Sequence, residues 1–330
     1  MRLLFITATR IGDAVLSTGL LDATIRAHPG LQVTVACGPV AAGLFEAVPG
    51  LDELIVLRKG PRAAHWRALW RAVVGRRWDL VIDLRASAVS WLIRADRRHW
   101  LRSANADDHK VVQLARLLSL SPPPAPRLWL DPANRAAGLR LVPAGPPVLA
   151  LAPIANWYAK TWPAERFIEL AERLTAAKAP LAGARVAVVA GPDERAGAQP
   201  VLDALPSARR LDLIGAGPLL DTQAALERCA LFIGNDSGLM HMAAAAGIPT
   251  LGLFGPSDDR LYAPWGPRTA LVRTPESFLT LNPPGGDWRS MPPAMVSLTV
   301  DAVEEAAHQL WRRLGETAAD QATNQATNQG

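Results

Sequence analysis

The sequence is nearly free of cysteine and has no long uncharged apolar run. Cys37 and Cys229 are its two cysteines and fall in separate apolar segments, a pattern that argues against a disulfide framework or a thiolate metal site. No stretch of about eighteen uncharged apolar residues occurs, so a membrane-spanning helix is not predicted. Residues 3–8 are apolar, but Arg10 and Asp13 follow at once, which is unlike a signal peptide. We therefore expect a cytoplasmic protein whose cysteines are packing residues.

Composition indicates a large, basic globular protein. Its 330 residues are 49% hydrophobic and 20% charged, enough to bury the cores of two domains of ordinary size. The net charge of +5 favours an anionic partner. Charge alone leaves nucleic acid, an acidic membrane and phosphorylated metabolites open.

Apolar runs alternate with segments of helical periodicity along the whole chain. Strands are predicted at residues 2–8, 32–36, 54–57 and 80–84, and again at 148–152, 185–190, 210–214, 231–234 and 250–254. Strands separated by helices indicate parallel sheets, so the fold class predicted is α/β with two Rossmann-like, doubly wound halves.

Two proline-rich breaks, at residues 121–126 and 143–147, interrupt this alternation. Placing the linker at the second break gives a first domain over residues 1–145 and a second over 146–315. The second domain is predicted to end in a helix over about residues 300–314. Residues 321–329 form a polar repeat with nothing to bury, and we predict a disordered tail over residues 316–330.

Ligands of doubly wound sheets bind where strands end and helices begin, so the strand-to-helix loops are the candidate sites. In the first such loop, Thr9 and Gly12 precede Asp13. Gly12 permits a tight turn, and Asp13 is expected in the first helical turn, at the mouth of a cleft between the two halves. Asp13 could equally be a favourable N-terminal helix residue. The loop lacks the G-x-G-x-x-G dinucleotide fingerprint, since Gly12 stands alone until Gly19.

Two further loops lie in the second half. Lys160 precedes a predicted helix and could place its ammonium on a phosphate, although a solvated surface lysine is the alternative. In the third loop, the backbone N–H groups of Ser237, Gly238 and Leu239 would face an anion at a helix start. His241 would lie in the first turn of that helix, as a ligand or as a packing residue.

Several motifs in these loops occur together and in a characteristic order. They are Ile11-Gly12-Asp13-Ala14-Val15-Leu16-Ser17-Thr18, Lys160-Thr161-Trp162-Pro163, Asn235-Asp236-Ser237-Gly238-Leu239-Met240-His241 with residues 243–249, Gly255-Pro256-Ser257-Asp258, and Val296-Ser297-Leu298-Thr299-Val300. Across nearly the whole chain the sequence resembles glycosyltransferase family 9, the ADP-heptose:lipopolysaccharide heptosyltransferases. The D-S-G-x-x-H segment together with the amino-terminal I-G-D makes this resemblance specific.

The resemblance implies a GT-B fold, in which two Rossmann-like domains face each other across a cleft. The first domain would take the acceptor and the second the nucleotide sugar. The implied reaction is metal-independent, inverting sugar transfer without a cofactor, in which heptose moves from ADP-heptose onto a lipopolysaccharide core or related anionic glycolipid. The absence of a D-x-D motif agrees with this expectation.

Roles for individual residues follow from the same resemblance. Asp13 matches the catalytic base, Lys160 the lysine on the donor diphosphate, and Asp236 the acid near the donor sugar. Residues 237–241 match the turn around the phosphates, and Glu194 matches more loosely an acid near the ribose. Typical heptosyltransferases have paired threonines before the lysine, whereas this chain has Ala155 and Asn156. Asn156 is a candidate donor-binding residue, and this departure leaves the donor identity open.

Other functions remain as alternatives. Within the family, the donor could be another nucleotide sugar or the acceptor another surface glycan. A non-catalytic nucleic-acid-binding protein would suit the basic charge but explains none of the three loops. A nicotinamide oxidoreductase would need the glycine fingerprint that is absent.

A basic stretch from residue 58 to residue 102 is interleaved with tryptophans. We predict that Arg58, Lys59 and Arg62 lie at the same sheet edge as Asp13 and bind the acceptor. The later arginines are assigned to helices and loops beyond that edge; they are Arg67, Arg71, Arg76, Arg77, Arg94, Arg97 and Arg98. An ordinary solvated face is the alternative. The resemblance implies an anionic glycolipid acceptor at the cytoplasmic face of the inner membrane. As a group, the basic residues and tryptophans then favour peripheral binding there, with no nucleic-acid partner.

Overall fold

The computed structural model describes residues 1–101, 107–283 and 291–327. Backbone contacts divide the chain into two compact units. Unit 1 comprises Met1–Ala137 together with Pro218–Ala224, and unit 2 comprises Gly138–Gly217 together with the chain from Ala225 onward. The division falls between Ala137 and Gly138, slightly before the proline-rich turn at which the linker is predicted.

Unit 1 is built on a parallel sheet. Its strands are β1 (Arg2–Ile6), β2 (Gln32–Cys37), β3 (Leu51–Val56), β4 (Arg77–Asp83) and β5 (Arg94–Trp100). Within the described residues their order is β3-β2-β1-β4-β5, and every neighbouring pair is parallel. The helices that lie or begin in its Met1–Ala137 segment are α1 (Ile11–Ala27), α2 (Ala64–Val73), α3 (Lys110–Arg116) and α4 (Pro132–Leu141).

The core of unit 1 follows from strand and helix periodicity. Leu4 and Ile6 alternate along β1 and are fully buried on one face, where Leu69 and Val73 of α2 pack at helical spacing. Trp78 of β4 is also buried there, and its indole Nε1 donates to the Val73 carbonyl oxygen at 3.0 Å. The contact fixes α2 against the sheet.

Unit 2 contains a second parallel sheet. Its strands are β6 (Val148–Ala152), β7 (Arg185–Ala190), β8 (Arg210–Ile214), β9 (Leu231–Asn235), β10 (Thr250–Phe254) and β11 (Thr269–Arg273). Their order within the described residues is β11-β10-β9-β6-β7-β8. The remaining helices are α5 (Ala164–Thr175), α6 (Arg195–Ala204), α7 (Leu219–Leu226), α8 (Gly238–Ala245), α9 (Asp259–Tyr262), α10 (Phe278–Leu281) and α11 (Val300–Thr327). Helix α7 begins in the Pro218–Ala224 segment of unit 1, and the others lie in unit 2. Central strands β6 and β9 are buried on both faces, as expected for a doubly wound sheet.

Two strands were not predicted from the sequence. β11 is only partly buried, and β5 reads R-A-D-R-R-H-W, with charges where a central strand would be apolar. The assignment of Arg94, Arg97 and Arg98 to helices and loops is therefore wrong, as is that of Arg77, which lies in β4. The physical reason is that edge strands such as β5 need little apolar burial and often carry charge.

The last helix, α11, is also longer than predicted and runs to Thr327. The predicted disordered tail over residues 316–330 is thus helical as far as Thr327, and residues 328–330 lie outside the described part of the chain. Alanine, glutamate and glutamine have high intrinsic helix propensity. Among the helices formed by the described residues, none combines the length and apolar character needed to cross a bilayer.

Candidate functional site

In unit 1, the loop after β1 leads directly into α1. Thr9 and Arg10 are exposed, whereas Gly12 and Asp13 are partly buried in the first turn of the helix. Below the loop, the hydroxyls of Thr7 and Ser17 lie 2.8 Å apart and join the end of β1 to the helix. Asp13 therefore occupies the position that the sequence predicts, at the carboxyl end of the sheet.

Gly38 supports this loop and was not identified from the sequence. It follows β2, its N–H donates to the Ala8 carbonyl oxygen at 3.2 Å, and a Cβ atom placed on it would lie 2.6 Å from the Cα of Thr9. Only glycine allows so close an approach. A glycine directly after a buried strand is the signal that could have revealed it.

Asp83 is a second supporting residue missed by sequence analysis. It ends β4, opposite Ile6 of β1, and is fully buried. Its carboxylate accepts hydrogen bonds from the backbone N–H groups of Arg85 and Ser87, both at 2.9 Å, and from the Ser87 hydroxyl at 2.7 Å. These bonds satisfy a buried charge and fix the loop after β4.

The predicted acceptor-binding residues follow β3. Arg58, Lys59 and Arg62 are exposed. Because the sheet is parallel, the loop after β3 begins at the same sheet end as the loop that carries Asp13. Arg62 has φ of 50° and Ala63 has φ of 57°, left-handed values that cost energy for residues with a Cβ. This strain is typical of functional loops.

In unit 2, Lys160 ends a short 3-10 turn, Tyr158–Lys160, in the loop after β6. Its ammonium lies 2.7 Å from a carboxylate oxygen of Asp236, which directly follows β9. The ammonium is also 5.5 Å from the centre of the Trp157 ring, a cation–π distance. The structure thus brings together two residues that are distant in sequence and that were predicted to share a site.

Asn235 holds this loop in place and is not among the predicted site residues. It is fully buried; its side-chain oxygen accepts from the Trp162 N–H at 3.1 Å, and its amide donates to the Pro153 carbonyl oxygen at 2.8 Å. Trp162 is anchored in turn by a 2.8 Å bond from its indole to the Leu298 carbonyl oxygen. Both sides of the Lys160 loop are therefore tied to the core.

Helix α8 begins beside the ion pair. Ser237 is its N-cap residue, and the Ser237 hydroxyl oxygen is buried without a hydrogen-bond partner among the described residues. Gly238 and Leu239 form the first turn, where backbone N–H groups lack intrahelical acceptors. His241 is buried, with its Nε2 4.0 Å from the second Asp236 oxygen. The hydroxyl of Ser257, after β10, is likewise buried and unpartnered in the described structure.

The other two predicted donor residues lie in loops at the carboxyl end of the unit 2 sheet, as Lys160 and Asp236 do. Asn156 is exposed in the loop after β6, and Glu194 is partly exposed in the loop after β7. The Glu194 carboxylate accepts a 2.7 Å bond from the N–H of Gly191, so one of its oxygens caps the local turn. These loops adjoin the Asp236 loop because β7, β6 and β9 are neighbours.

The two cysteines lie outside this chemistry. Burial raises the pKa of Cys37 to about 12, and burial likewise raises that of Cys229 to about 12. Both thiols are therefore neutral at physiological pH and suit the packing role predicted from the sequence.

The site in unit 2 has the components of a diphosphate site. A cationic side chain, a helix N-terminus and a hydroxyl without a partner converge near one acidic residue. The first three groups attract or donate to phosphate oxygens. Asp236 can balance the lysine charge when no anion is bound.

The chain is similar to known glycosyltransferases. The lipooligosaccharide heptosyltransferase 2 of Haemophilus influenzae is 24% identical over 348 residues, covering 94% of this chain and 99% of the relative. Among solved structures, a family 9 glycosyltransferase from Veillonella parvula has a TM-score of 0.76 at 21% identity, with coverage of 94% and 96%. The ADP-heptose lps heptosyltransferase II of E. coli has a TM-score of 0.74 at 19% identity. The match covers 96% of this chain and 100% of the E. coli chain.

These similarities agree with the two Rossmann-like α/β domains described above and with the predicted GT-B class. The model of glycosyltransferase family 9 (heptosyltransferase) matches residues 109–278, just over half of the chain, including the Lys160 and Asp236 loops. The protein is therefore an enzyme, a glycosyltransferase, and the chain belongs to glycosyltransferase family 9.

Proposed function

We propose that this glycosyltransferase moves heptose from ADP-heptose onto a lipopolysaccharide core or a related anionic glycolipid, with inversion at the anomeric carbon. The names of its relatives support the reaction class. The observation that carries the donor assignment is the Lys160–Asp236 pair at the start of α8.

The donor is assigned to unit 2. As the glycosidic bond breaks, negative charge grows on the leaving nucleoside diphosphate. Lys160 and the N–H groups of residues 237–239 stabilise that charge as it develops. Asp236 lies close enough to Lys160 to contact the donor sugar next to the diphosphate, and His241 contacts Asp236 from the first turn of α8. Glu194 and Asn156 complete the donor site at the ribose and the phosphates.

The acceptor is assigned to unit 1. A sugar hydroxyl is a poor nucleophile at neutral pH, so a carboxylate within about 3 Å removes its proton as the new bond to the anomeric carbon forms. Asp13 is the base, held in the first turn of α1 after Thr9 and Gly12. One displacement from the face opposite the leaving group inverts the anomeric centre.

The acceptor is anionic and lipid-anchored. Arg58, Lys59 and Arg62 are exposed at the same sheet end as Asp13 and are the charges that bind it. Such an acceptor lies at the cytoplasmic face of the inner membrane, so the enzyme binds there as a peripheral protein. Each basic residue near an anionic surface contributes roughly 1 kcal/mol at moderate salt.

The decisive test is a donor panel. Purified enzyme is incubated with a lipopolysaccharide core acceptor and with ADP-, UDP- and GDP-linked sugars, and both nucleotide release and glycolipid product are measured. Transfer from ADP-heptose alone supports the proposal. Faster transfer from another nucleotide sugar would instead support a family 9 transferase with a different donor. That alternative is considered because Ala155 and Asn156 stand where typical heptosyltransferases have paired threonines.

The acceptor assignment has its own test. An Arg58, Lys59 and Arg62 triple alanine variant should lose acceptor affinity in a titration, while its ADP affinity remains that of the wild type. An unchanged acceptor titration would remove these residues from the acceptor site.

A further inference from the structure

Unit 1 exposes a cluster of large apolar side chains. Trp91 is 60% exposed, Leu92 63% and Trp70 38%. They are joined, since the Trp70 indole N–H donates to the Leu92 carbonyl oxygen at 3.2 Å. The Trp91 ring also packs on Trp100, with ring centres 4.4 Å apart. An exposed, contiguous patch of this kind indicates an interaction site rather than scattered surface residues.

The loop that carries Trp91 and Leu92 is firmly held. The guanidinium of Arg98 donates to three carbonyl oxygens around it: Ser90 at 2.8 Å, Ile93 at 2.7 Å and Ala95 at 2.8 Å. Val89 and Ile93, on either side of the exposed pair, are buried in the core. The exposed side chains are therefore presented by a fixed backbone, and Arg98 serves this loop rather than a ligand.

The charge around the cluster is of one sign. Arg67 and Arg71 flank Trp70 on α2, and Arg94 follows Leu92 by two residues; all three arginines are exposed. No acidic residue occurs in α2 or between Asp83 and Asp96. Asp96 itself is paired with Arg77 at 2.8 Å. We call the set Trp70, Trp91, Leu92, Arg67, Arg71 and Arg94 the Trp91 surface.

We infer that the Trp91 surface docks the enzyme on an anionic lipid bilayer. The inference rests on the peripheral membrane contact of the proposed function and assigns it to particular residues. Tryptophan rings and a leucine enter the boundary between headgroups and acyl chains, and the arginines bind the acidic headgroups. A second copy of the chain is a poor occupant, because two such cationic surfaces would repel each other.

The position of the surface suits the acceptor. Trp100, on which Trp91 packs, is the last residue of β5. Since the sheet is parallel, β5 ends at the same edge as β1, whose following loop leads to Asp13. The Trp91 surface therefore reaches the acceptor end of this sheet at Trp91, and it extends along the sheet to Arg94 at the start of β5. Docking through this surface holds the acceptor end beside the lipid that carries the glycolipid.

The test compares two matched double variants of the full-length enzyme. Leu92→Ser with Arg94→Gln alters the Trp91 surface. The control variant, Leu279→Ser with Arg268→Gln, alters two exposed residues of unit 2. Leu279 is 64% exposed and Leu92 is 63% exposed, so the two leucines are matched. Each protein is co-sedimented with phosphatidylcholine vesicles and with vesicles that also contain phosphatidylglycerol, at low and high salt. Circular dichroism and ADP affinity verify that both variants are folded.

We expect wild type to bind the phosphatidylglycerol vesicles in a salt-sensitive manner. The Leu92/Arg94 variant should bind the same vesicles with an affinity at least about tenfold lower. The Leu279/Arg268 variant should bind as wild type does. If wild type fails to sediment, the membrane contact itself is wrong. If wild type sediments but both variants match it, or both weaken equally, the assignment to the Trp91 surface is wrong. Loss of a dimer in the Leu92/Arg94 variant alone, seen by analytical ultracentrifugation, would instead identify a second copy as the occupant.

Discussion

The ammonium of Lys160 lies 2.7 Å from a carboxylate oxygen of Asp236, and the two side chains are only 12% and 10% exposed. A pair so removed from water satisfies both charges at a cost in desolvation. A diphosphate that binds Lys160 must share the ammonium with Asp236 or displace it. Donor affinity therefore depends on the competition between two anions for one lysine.

Removing the lysine should weaken nucleotide binding. We expect Lys160→Ala to reduce ADP affinity by about 1.5–3 kcal/mol, because it deletes a charge-assisted contact. Asp236→Asn should bind ADP at least as tightly as wild type, since a competing negative charge is gone, yet transfer should fall. Calorimetry with ADP measures both effects, and Lys178→Ala, an exposed lysine, is the control. Unchanged ADP affinity in Lys160→Ala would exclude this loop as the phosphate site.

Asp13 should be needed for the chemical step rather than for binding. We expect Asp13→Asn to leave folding and ADP affinity nearly unchanged and to lower kcat for transfer by about two orders of magnitude, the usual contribution of a positioned base. Steady-state kinetics at saturating donor would show the loss, and Asp52→Asn serves as the matched surface control. A mutant with near-normal kcat would show that another group takes the proton.

Asn235 should affect both stability and donor binding. Asn235→Ala removes two buried hydrogen bonds and leaves the Trp162 N–H and the Pro153 carbonyl unsatisfied, which costs about 2–4 kcal/mol in the free energy of unfolding. The Lys160 loop should loosen, and ADP affinity should fall as well. Urea unfolding and calorimetry provide the two readouts. Asn134→Ala, which breaks a 2.9 Å bond to Asp221 in unit 1, should destabilise without changing ADP affinity.

Gly38 should control the geometry of the Asp13 loop. Gly38→Ala places a methyl group against the backbone of Thr9, so the loop must shift. We expect at least a tenfold loss of transfer, because small displacements of a catalytic group are costly, while ADP affinity is retained. Gly75→Ala is the control, since a Cβ there meets no atom within 4 Å. Full activity in Gly38→Ala would show that the loop tolerates the shift.

Asp258 should make stability depend on pH. Its side-chain hydrogen bonds with Arg260 lower the pKa of this carboxyl below its usual range, in spite of partial burial. A lowered folded-state pKa stabilises the protein above the unfolded-state pKa, about 3.9, and the benefit is lost as the pH falls further. Asp258→Asn should thus be less stable than wild type by about 0.5–1 kcal/mol at pH ~7, with the difference vanishing at acidic pH. Thermal unfolding of both proteins from neutral to acidic pH measures this stability difference. A difference that stays constant with pH would show that the Asp258 carboxylate is not its source.

The sequence predicted the elements whose apolar pattern is strong. Apolar runs that lead into loops predicted strands β1–β4 and β6–β10, the start of α1 at the Asp13 loop and the start of α8 at Ser237. β5 was missed because an edge strand can carry arginines. The role of Arg98 was missed because its guanidinium donates to backbone carbonyl oxygens, and no sequence spacing indicates such bonds. The Lys160–Asp236 contact could be expected only through family resemblance, because the two loops are brought together by the neighbouring order of β6 and β9. The glycine directly after β2 was a usable signal for Gly38, but the backbone atoms that Asn235 and Gly38 contact belong to distant segments, and only a folded chain identifies them.

Unit 1 is discontinuous in sequence, since residues 218–224 belong to it although β6, β7 and β8 are synthesised earlier. During translation, the amino-terminal sheet can form long before this last piece arrives. The hydrogen bond that the Asn134 amide donates to Asp221 at 2.9 Å can form only after residue 221 has been synthesised. A recombinant fragment cut at either the predicted or the observed boundary would lack the start of α7 and expose the surface it covers. Domain dissection of this enzyme therefore calls for a graft of residues 218–224 onto the amino-terminal fragment rather than a simple truncation.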